Sequence, residues 1–191
     1  MDHTKADTLV LGIGNILWAD EGFGIRAVEA LNAEYRFPPN VCVMDGGTQG
    51  LFLLPWVRNA SRLLILDAID YGLTPGEIRV IRDDDVPQYL GAKKMSMHQT
   101  GFQEVLMSAQ MLGEFPTQLA LIGVQPDQLD DYGGSLRPCV KARIPEAVGY
   151  AIDILHEWGI ETEKREQPPE TAELIGPDAL EMTAYELGRP T

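Results

Sequence analysis

The sequence predicts a single α/β domain built on a twisted, mixed but mostly parallel β-sheet of about five strands, with helices on both faces. Three observations lead there. Short apolar runs of strand length, TLVLGI, LLIL and QLALIGV, recur along the chain and break at Gly, Asp or a turn. Stretches with apolar residues at helical spacing alternate with them. The chain has 191 residues, 45% of them apolar, which is enough for one full core and too little for a second catalytic domain.

The first strand is Thr8 to Ile13, ending at Gly14-Asn15, with a loop from Ile16 to Glu21. A helix is expected from about Gly22 to Tyr35, because Ile25, Val28, Leu31 and Tyr35 fall on one side and Arg26, Glu29 and Glu34 on the other. Phe37-Pro38-Pro39-Asn40 stops it. A second strand, Val41 to Met44, runs into an Asp45-Gly46-Gly47-Thr48 turn, and a short helix follows from Gly50 to about Asn59 despite Pro55. The third strand, Arg62 to Leu66, is apolar throughout, as a central strand covered on both faces must be, and ends at Asp67-Ala68. Gly76 to Arg82 alternates polar and apolar residues, the pattern of an edge or antiparallel strand.

Lys93 to Gln99 reads as a polar loop before a helix carrying Phe102, Val105, Leu106, Ala109 and Leu112. Gln118 to Val124 is another buried strand, Pro126 to Arg137 a loop with Gly133-Gly134, and Pro145 to Trp158 the closing helix. Residues 1–160 therefore form the domain. Residues 161–191 turn acidic and proline-bearing with little apolar periodicity, the composition of a flexible tail.

A formal charge of −14 excludes most nucleic-acid binders, since phosphate contacts need clustered Lys and Arg. No apolar run approaches the ~20 residues of a membrane span, and the start MDHTKADTLVLGIG lacks the features of a signal peptide. Cys42 and Cys139 are the only cysteines, so neither a disulfide framework nor a zinc ribbon is indicated, and a cytoplasmic monomer is expected.

Gly12-Ile13-Gly14 after the first strand suggests a dinucleotide turn, but the third glycine of that fingerprint falls at Leu17, and Asp20 and Glu21 would repel an incoming phosphate. Both carboxylates also suit a solvated helix N-terminus, which is the expectation for Asp20. Asp67 is different, because a carboxylate ending a central apolar strand must be paired, hydrogen-bonded or metal-bound to offset its desolvation. Ligands of doubly wound sheets bind beyond the carboxyl ends of the strands, where the loops here hold Glu21, Asp45 and Asp67. His98, in Met95-Ser96-Met97-His98-Gln99-Thr100, is by itself an ordinary loop histidine or cap. One imidazole with two or three carboxylates suits a divalent transition metal.

The stretch LVLGIGNILWADEGFGIR, Leu9 to Arg26, resembles the opening of the hydrogenase maturation endopeptidases: a strand, GxGN, D-E and G-x-R. The resemblance continues through the Asp45-Gly46-Gly47-Thr48 turn, Leu66-Asp67-Ala68, Ser96-x-His98 and Leu121 to Pro126, and covers about Leu9 to Trp158. It implies metal contacts from Glu21, Asp67 and His98, and for Asp45 either a substrate-handling or catalytic role or a purely turn-forming one; Asp67 or Asp45 is the candidate to activate water. It also implies the reaction: removal of a C-terminal peptide from the nickel-loaded large-subunit precursor of a nickel–iron hydrogenase. The nickel would arrive with that precursor, and cadmium or zinc would substitute for it in purified protein. No Ser-His-Asp, Cys-His, HExxH or pepsin-type signature is present, although the family carries an aspartic-type label. A non-catalytic nickel-binding chaperone for the same large subunit is the alternative, and a peptidyl-tRNA hydrolase-like enzyme fits less well with the acidic charge.

Overall fold

The computed structural model describes residues 6–87, 97–177 and 180–188. Its core is a five-stranded sheet formed by β1 (Thr8–Ile13), β3 (Val41–Gly47), β4 (Arg62–Ala68), β5 (Ile78–Arg82) and β6 (Gln118–Val124), in the order β3-β1-β4-β6-β5. β1 pairs in parallel with β3 and β4, and β4 with β6, while β5 closes the edge antiparallel to β6. The mixed, mostly parallel sheet and the antiparallel edge strand are as expected. Among the described residues no helix is long and apolar enough to cross a membrane.

Strand alternation divides the core. Val10, Leu64, Leu66, Ala120 and Ile122 face one side, packed by α1 (Phe23–Glu34) and α5 (Ile144–Glu157). Leu9, Leu11, Leu63, Ile65, Leu119 and Leu121 face the other, packed by α2 (Leu54–Asn59) and α3 (Met97–Met111). Because neighbouring residues of a strand point to opposite faces, two apolar periods and two helix pairs are needed to cover one sheet. α4 (Pro138–Lys141) is a single turn leading into α5.

Several boundaries differ from expectation for definable reasons. Asp45-Gly46-Gly47 continues β3 instead of forming a turn, since β1 keeps pairing with it across a register shift at Gly12/Ile13. The segment from Gly50 begins as a 3-10 turn, Gly50–Leu53, and becomes α-helical at Leu54, which leaves Pro55 in the first turn where its missing N–H costs nothing. The chain is already helical at Met97, so the last residues of the expected Lys93–Gln99 loop belong to α3, while 93–96 lie outside the described residues.

The acidic C-terminal segment lies along α1. Its β7 (Glu163–Lys164) pairs antiparallel with β2 (Tyr35–Arg36), a strand not foreseen from the sequence. Arg165, 6% exposed at its side chain, donates to the Asn32 and Tyr35 carbonyls at 3.0 and 3.2 Å and so caps the C-terminal end of α1. Ile175 and Met182 pack on the α1/α5 core. α6 (Met182–Gly188) ends the described chain.

Candidate functional site

The site region lies at the carboxyl edge of the sheet, and the Gly-x-Gly turn after β1 explains how it is assembled. α1 crosses so close to the sheet that a methyl group on Gly24 would overlap the carbonyl oxygens of Ile13 and Leu66. Gly14 has φ +137°, and a side chain there would run into the Glu21 carbonyl, to which Asn15 donates its N–H at 3.1 Å. These glycines therefore serve backbone packing, not a pyrophosphate. Gly14 lets the Ala19–Gly22 turn, with Glu21 in it, fold back onto the end of β1, and Gly24 brings α1 against Leu66, one residue before Asp67, so that the turn also lies against β4.

Asp67 is 3% exposed, and its Oδ1 accepts the Ala68 N–H at 2.8 Å. By alternation it follows Leu63 and Ile65 onto the α2/α3 face. The same face receives the start of α3, held close by a backbone approach in which Gly50 and Gly101 meet: a Cβ on Gly101 would lie 3.4 Å from the Gly50 Cα. His98 stands in the first described turn of α3, and its side chain lies outside the described residues, as does Ser96. Among the described residues no group of three His, Cys, Asp or Glu side chains assembles a metal site.

Asp45 leaves the sheet on the opposite face. It shares the parity of Val41 and Val43, which pack on the α1 side, whereas Cys42 and Met44 pack on the other. Its Oδ1 is buried without a hydrogen bond among the described residues, and burial pushes its pKa up against the opposing pull of the Gly47 N–H and the Arg26 guanidinium. Glu29, on α1, is likewise pushed up by burial, despite its 2.8 Å hydrogen bond from Arg26, and the charge of Asp45 adds to the shift. Asp45 and Asp67 thus face different neighbours, Asp45 an Arg-Glu pair and Asp67 the helix that carries His98.

Two residues hold the surrounding loops. Asp20, expected to be a solvated cap, is 0% exposed. Its Oδ2 accepts the N–H groups of Asp127 and Gln128, both at 2.9 Å, and its Oδ1 that of Arg137 at 2.7 Å. It ties the Glu21 turn to the loop after β6. Gln125, 5% exposed at the end of β6, performs the same service for the loop after β4. Its Oε1 accepts the Tyr71 and Leu73 N–H groups at 2.7 and 3.1 Å, and its Nε2 donates to Asp70 at 3.0 Å. Tyr71 is thereby laid over Gly123, the partner of Asp67 in the β4–β6 register, with its ring 3.3 Å from where a Cβ would be. The signal that could have found Gln125 is the one used for Asp67: a polar residue ending an apolar strand needs partners.

Fold and site together define an α/β protein whose candidate chemistry lies in the crevice at the carboxyl edge of a mainly parallel sheet, lined by buried carboxylates. The hydrogenase maturation protease (HycI) family model matches residues 25–154, a range that includes Asp45, Asp67 and His98 and begins just after Glu21. Hydrogenase expression/formation protein HoxM of Cupriavidus necator is 54% identical over 183 residues, 96% of this chain and 91% of that protein. The Hydrogenase 2 maturation protease of Escherichia coli is 43% identical over 159 residues, 83% of this chain and 96% of its own. The solved structure of the hydrogenase maturating endopeptidase HybD from E. coli superposes with a TM-score of 0.78 at 42% identity, covering 83% of this chain and 97% of that one. The chain belongs to the hydrogenase maturation protease family, and it is a peptidase of the hydrolase class.

Proposed function

We propose that this peptidase removes the C-terminal peptide from the nickel-loaded large-subunit precursor of a nickel–iron hydrogenase, with Glu21, Asp67 and His98 reading the nickel that the precursor brings. The observation that carries this is the meeting at the end of β4. Buried Asp67 points to the face that receives the start of α3, where His98 stands, and the Glu21 turn abuts the same strand end. Carboxylate oxygens and an imidazole nitrogen suit a borderline divalent ion that already has thiolate ligands from its own chain.

In this scheme the nickel is part of the substrate and fixes the scissile peptide near Asp67. Asp67 takes a proton from water, the water oxygen adds to the peptide carbonyl carbon, the C–N bond breaks, and the proton passes to the departing amine. A cation beside the carbonyl oxygen lowers such a barrier by several kcal/mol. Asp67 suits the water-activating role better than Asp45, whose strand parity places it on the α1 side with Arg26 and Glu29. Asp45 then acts at the rim, in handling the chain of the precursor.

The test is incubation with a nickel-loaded precursor and a mass measurement of the product. A new C-terminus with release of a short peptide is expected. A precursor of unchanged mass that nevertheless binds would instead identify a chaperone.

A further inference from the structure

The C-terminal segment has no part in the chemistry above. It lies beyond the family model's last matched residue, 154. The contacts of the segment show what it holds.

Arg26 of α1 donates to the Leu180 carbonyl at 2.6 Å and lies 5.7 Å from the centroid of the Tyr185 ring, which fixes the approach to α6. Glu186 on α6 then reaches across to the loop after β6. It accepts the Ser135 hydroxyl at 2.7 Å, and the Lys141 ammonium binds both its oxygens at 2.8 Å. Lys141 first, and Ser135 next, hold the Glu186 carboxyl below the ordinary range.

Ser135 belongs to a lip made of two strands of loop. Gly133 donates to the Leu17 carbonyl at 2.7 Å, Trp18 forms bridges with Tyr132 and Gly134, and the Trp18 and Tyr132 rings meet edge to face at 5.2 Å. Leu17 and Tyr132 are 38% and 68% exposed on this lip, four residues and one hydrogen-bonded loop from Glu21. Asp20 holds the lip from within, and Glu186 holds it from outside.

We propose that the C-terminal segment is a brace for this lip, with Glu186 as the positioning residue acting through Ser135 and Lys141, and that the precursor polypeptide docks on the braced lip beside Glu21. The docking half rests on the proposed reaction; the bracing half does not. The exposed Leu17 side chain and Tyr132 ring, on a stiffened loop, present contact area without the ordering cost of a loose one.

The test uses the full chain, Glu186→Ala, Glu186→Gln and a chain ended after Pro177. Amide hydrogen exchange of residues 130–136 is measured by mass spectrometry, together with KM and kcat on nickel-loaded precursor. Loss of a charge-assisted but partly exposed contact is expected to raise lip exchange and KM each about threefold to tenfold in Glu186→Ala and in the shortened chain, with kcat within about twofold. Glu186→Gln keeps one acceptor oxygen for Ser135 and Lys141 but loses the charge and turns an NH2 group toward the Lys141 ammonium, so it falls between the parent and Glu186→Ala. Unchanged lip exchange in Glu186→Ala and the shortened chain would overturn the brace. A loosened lip with unchanged KM would overturn the docking role. A parent chain that cuts no precursor would refute the docking role along with the reaction, while the exchange comparison still decides the brace.

Discussion

Replacing Asp20 tests whether one buried carboxylate organises the site region. Asp20→Ala removes the acceptor for three backbone N–H groups, those of Asp127, Gln128 and Arg137, at 2.9, 2.9 and 2.7 Å. Hydrogen bonds to a charged group contribute roughly 1.5–3 kcal/mol each, so the upper bound for the three is roughly 4.5–9 kcal/mol. The lip can open and let water reach the stranded amides, which lowers the expected loss to about 3–5 kcal/mol. For a chain of this size that is a fall in Tm of about 6–20 °C. Asp20→Asn keeps one acceptor oxygen and turns an NH2 group toward an N–H donor, so its loss should be intermediate. Urea unfolding gives the stability, and hydrogen exchange at Asp127, Gln128 and Arg137 gives the local effect. An Asp20→Ala chain within about 0.5 kcal/mol of the parent, the range of an ordinary surface substitution, would refute the reasoning.

Three further substitutions probe other parts of the account. Asp45→Asn should raise thermal stability at neutral pH, because burial holds the Asp45 pKa above its ordinary 3.8 and the folded state carries the cost of the ionised group. The sign follows from that: the stability contributed by Asp45 is full below its unfolded pKa and is lost as pH rises through the folded one. The advantage of Asn should thus shrink when melts at about pH 7.5 are repeated at about pH 3.5, and a pH-independent difference would contradict it. Gly24→Ala puts a methyl group into the Ile13 and Leu66 carbonyls, with no flexible side chain there to yield, so a loss of about 1–3 kcal/mol or more in urea unfolding is expected, and a neutral effect would show that α1 can retreat at no cost. His98→Ala should abolish cleavage while leaving the melting temperature within about 2 °C of the parent, the outcome that follows from the proposed role of His98 in reading the substrate's metal; retained cleavage would remove His98 from the site.

Much of the fold was legible because buried parallel strands have to be apolar throughout. β1, β4 and β6 announce themselves in TLVLGI, RLLILDA and QLALIGV. Asp67 was legible for the complementary reason, a carboxylate where the apolar run ends. Asp20 was not. A carboxylate in a first helical turn carries the same local signal whether solvent or protein satisfies it, and its donors lie 107, 108 and 117 residues away. The extension of β3 through Asp45-Gly46-Gly47 was hidden in the same way, since the strong turn preference of Asp-Gly-Gly is overridden by pairing with β1 across an irregular register. β2 and β7 are two residues each and stabilise one another only across a separation of more than a hundred residues, so neither leaves a period to read.

The carboxylate parity has a mechanistic consequence. Glu21, Asp45 and Asp67 all follow strand ends, and from the sequence they look interchangeable as members of one cluster. The pleat separates them: Asp67 lies on the α3 face, and Asp45 lies on the α1 face against Arg26 and Glu29. A single water-activating carboxylate on the α3 face, the face proposed to read the metal, is the simpler arrangement, and it assigns different consequences to two aspartates of the same strand layer. Asp67→Asn should remove cleavage, whereas Asp45→Asn should alter the handling of the precursor chain.

The most direct measurement compares one large-subunit precursor in its nickel-loaded and metal-free forms, each incubated with this protein and read by intact mass. A truncated product with a single new C-terminus is expected from the loaded form and none from the metal-free form. Equal cleavage of both would contradict the claim that Glu21, Asp67 and His98 read a metal carried by the substrate.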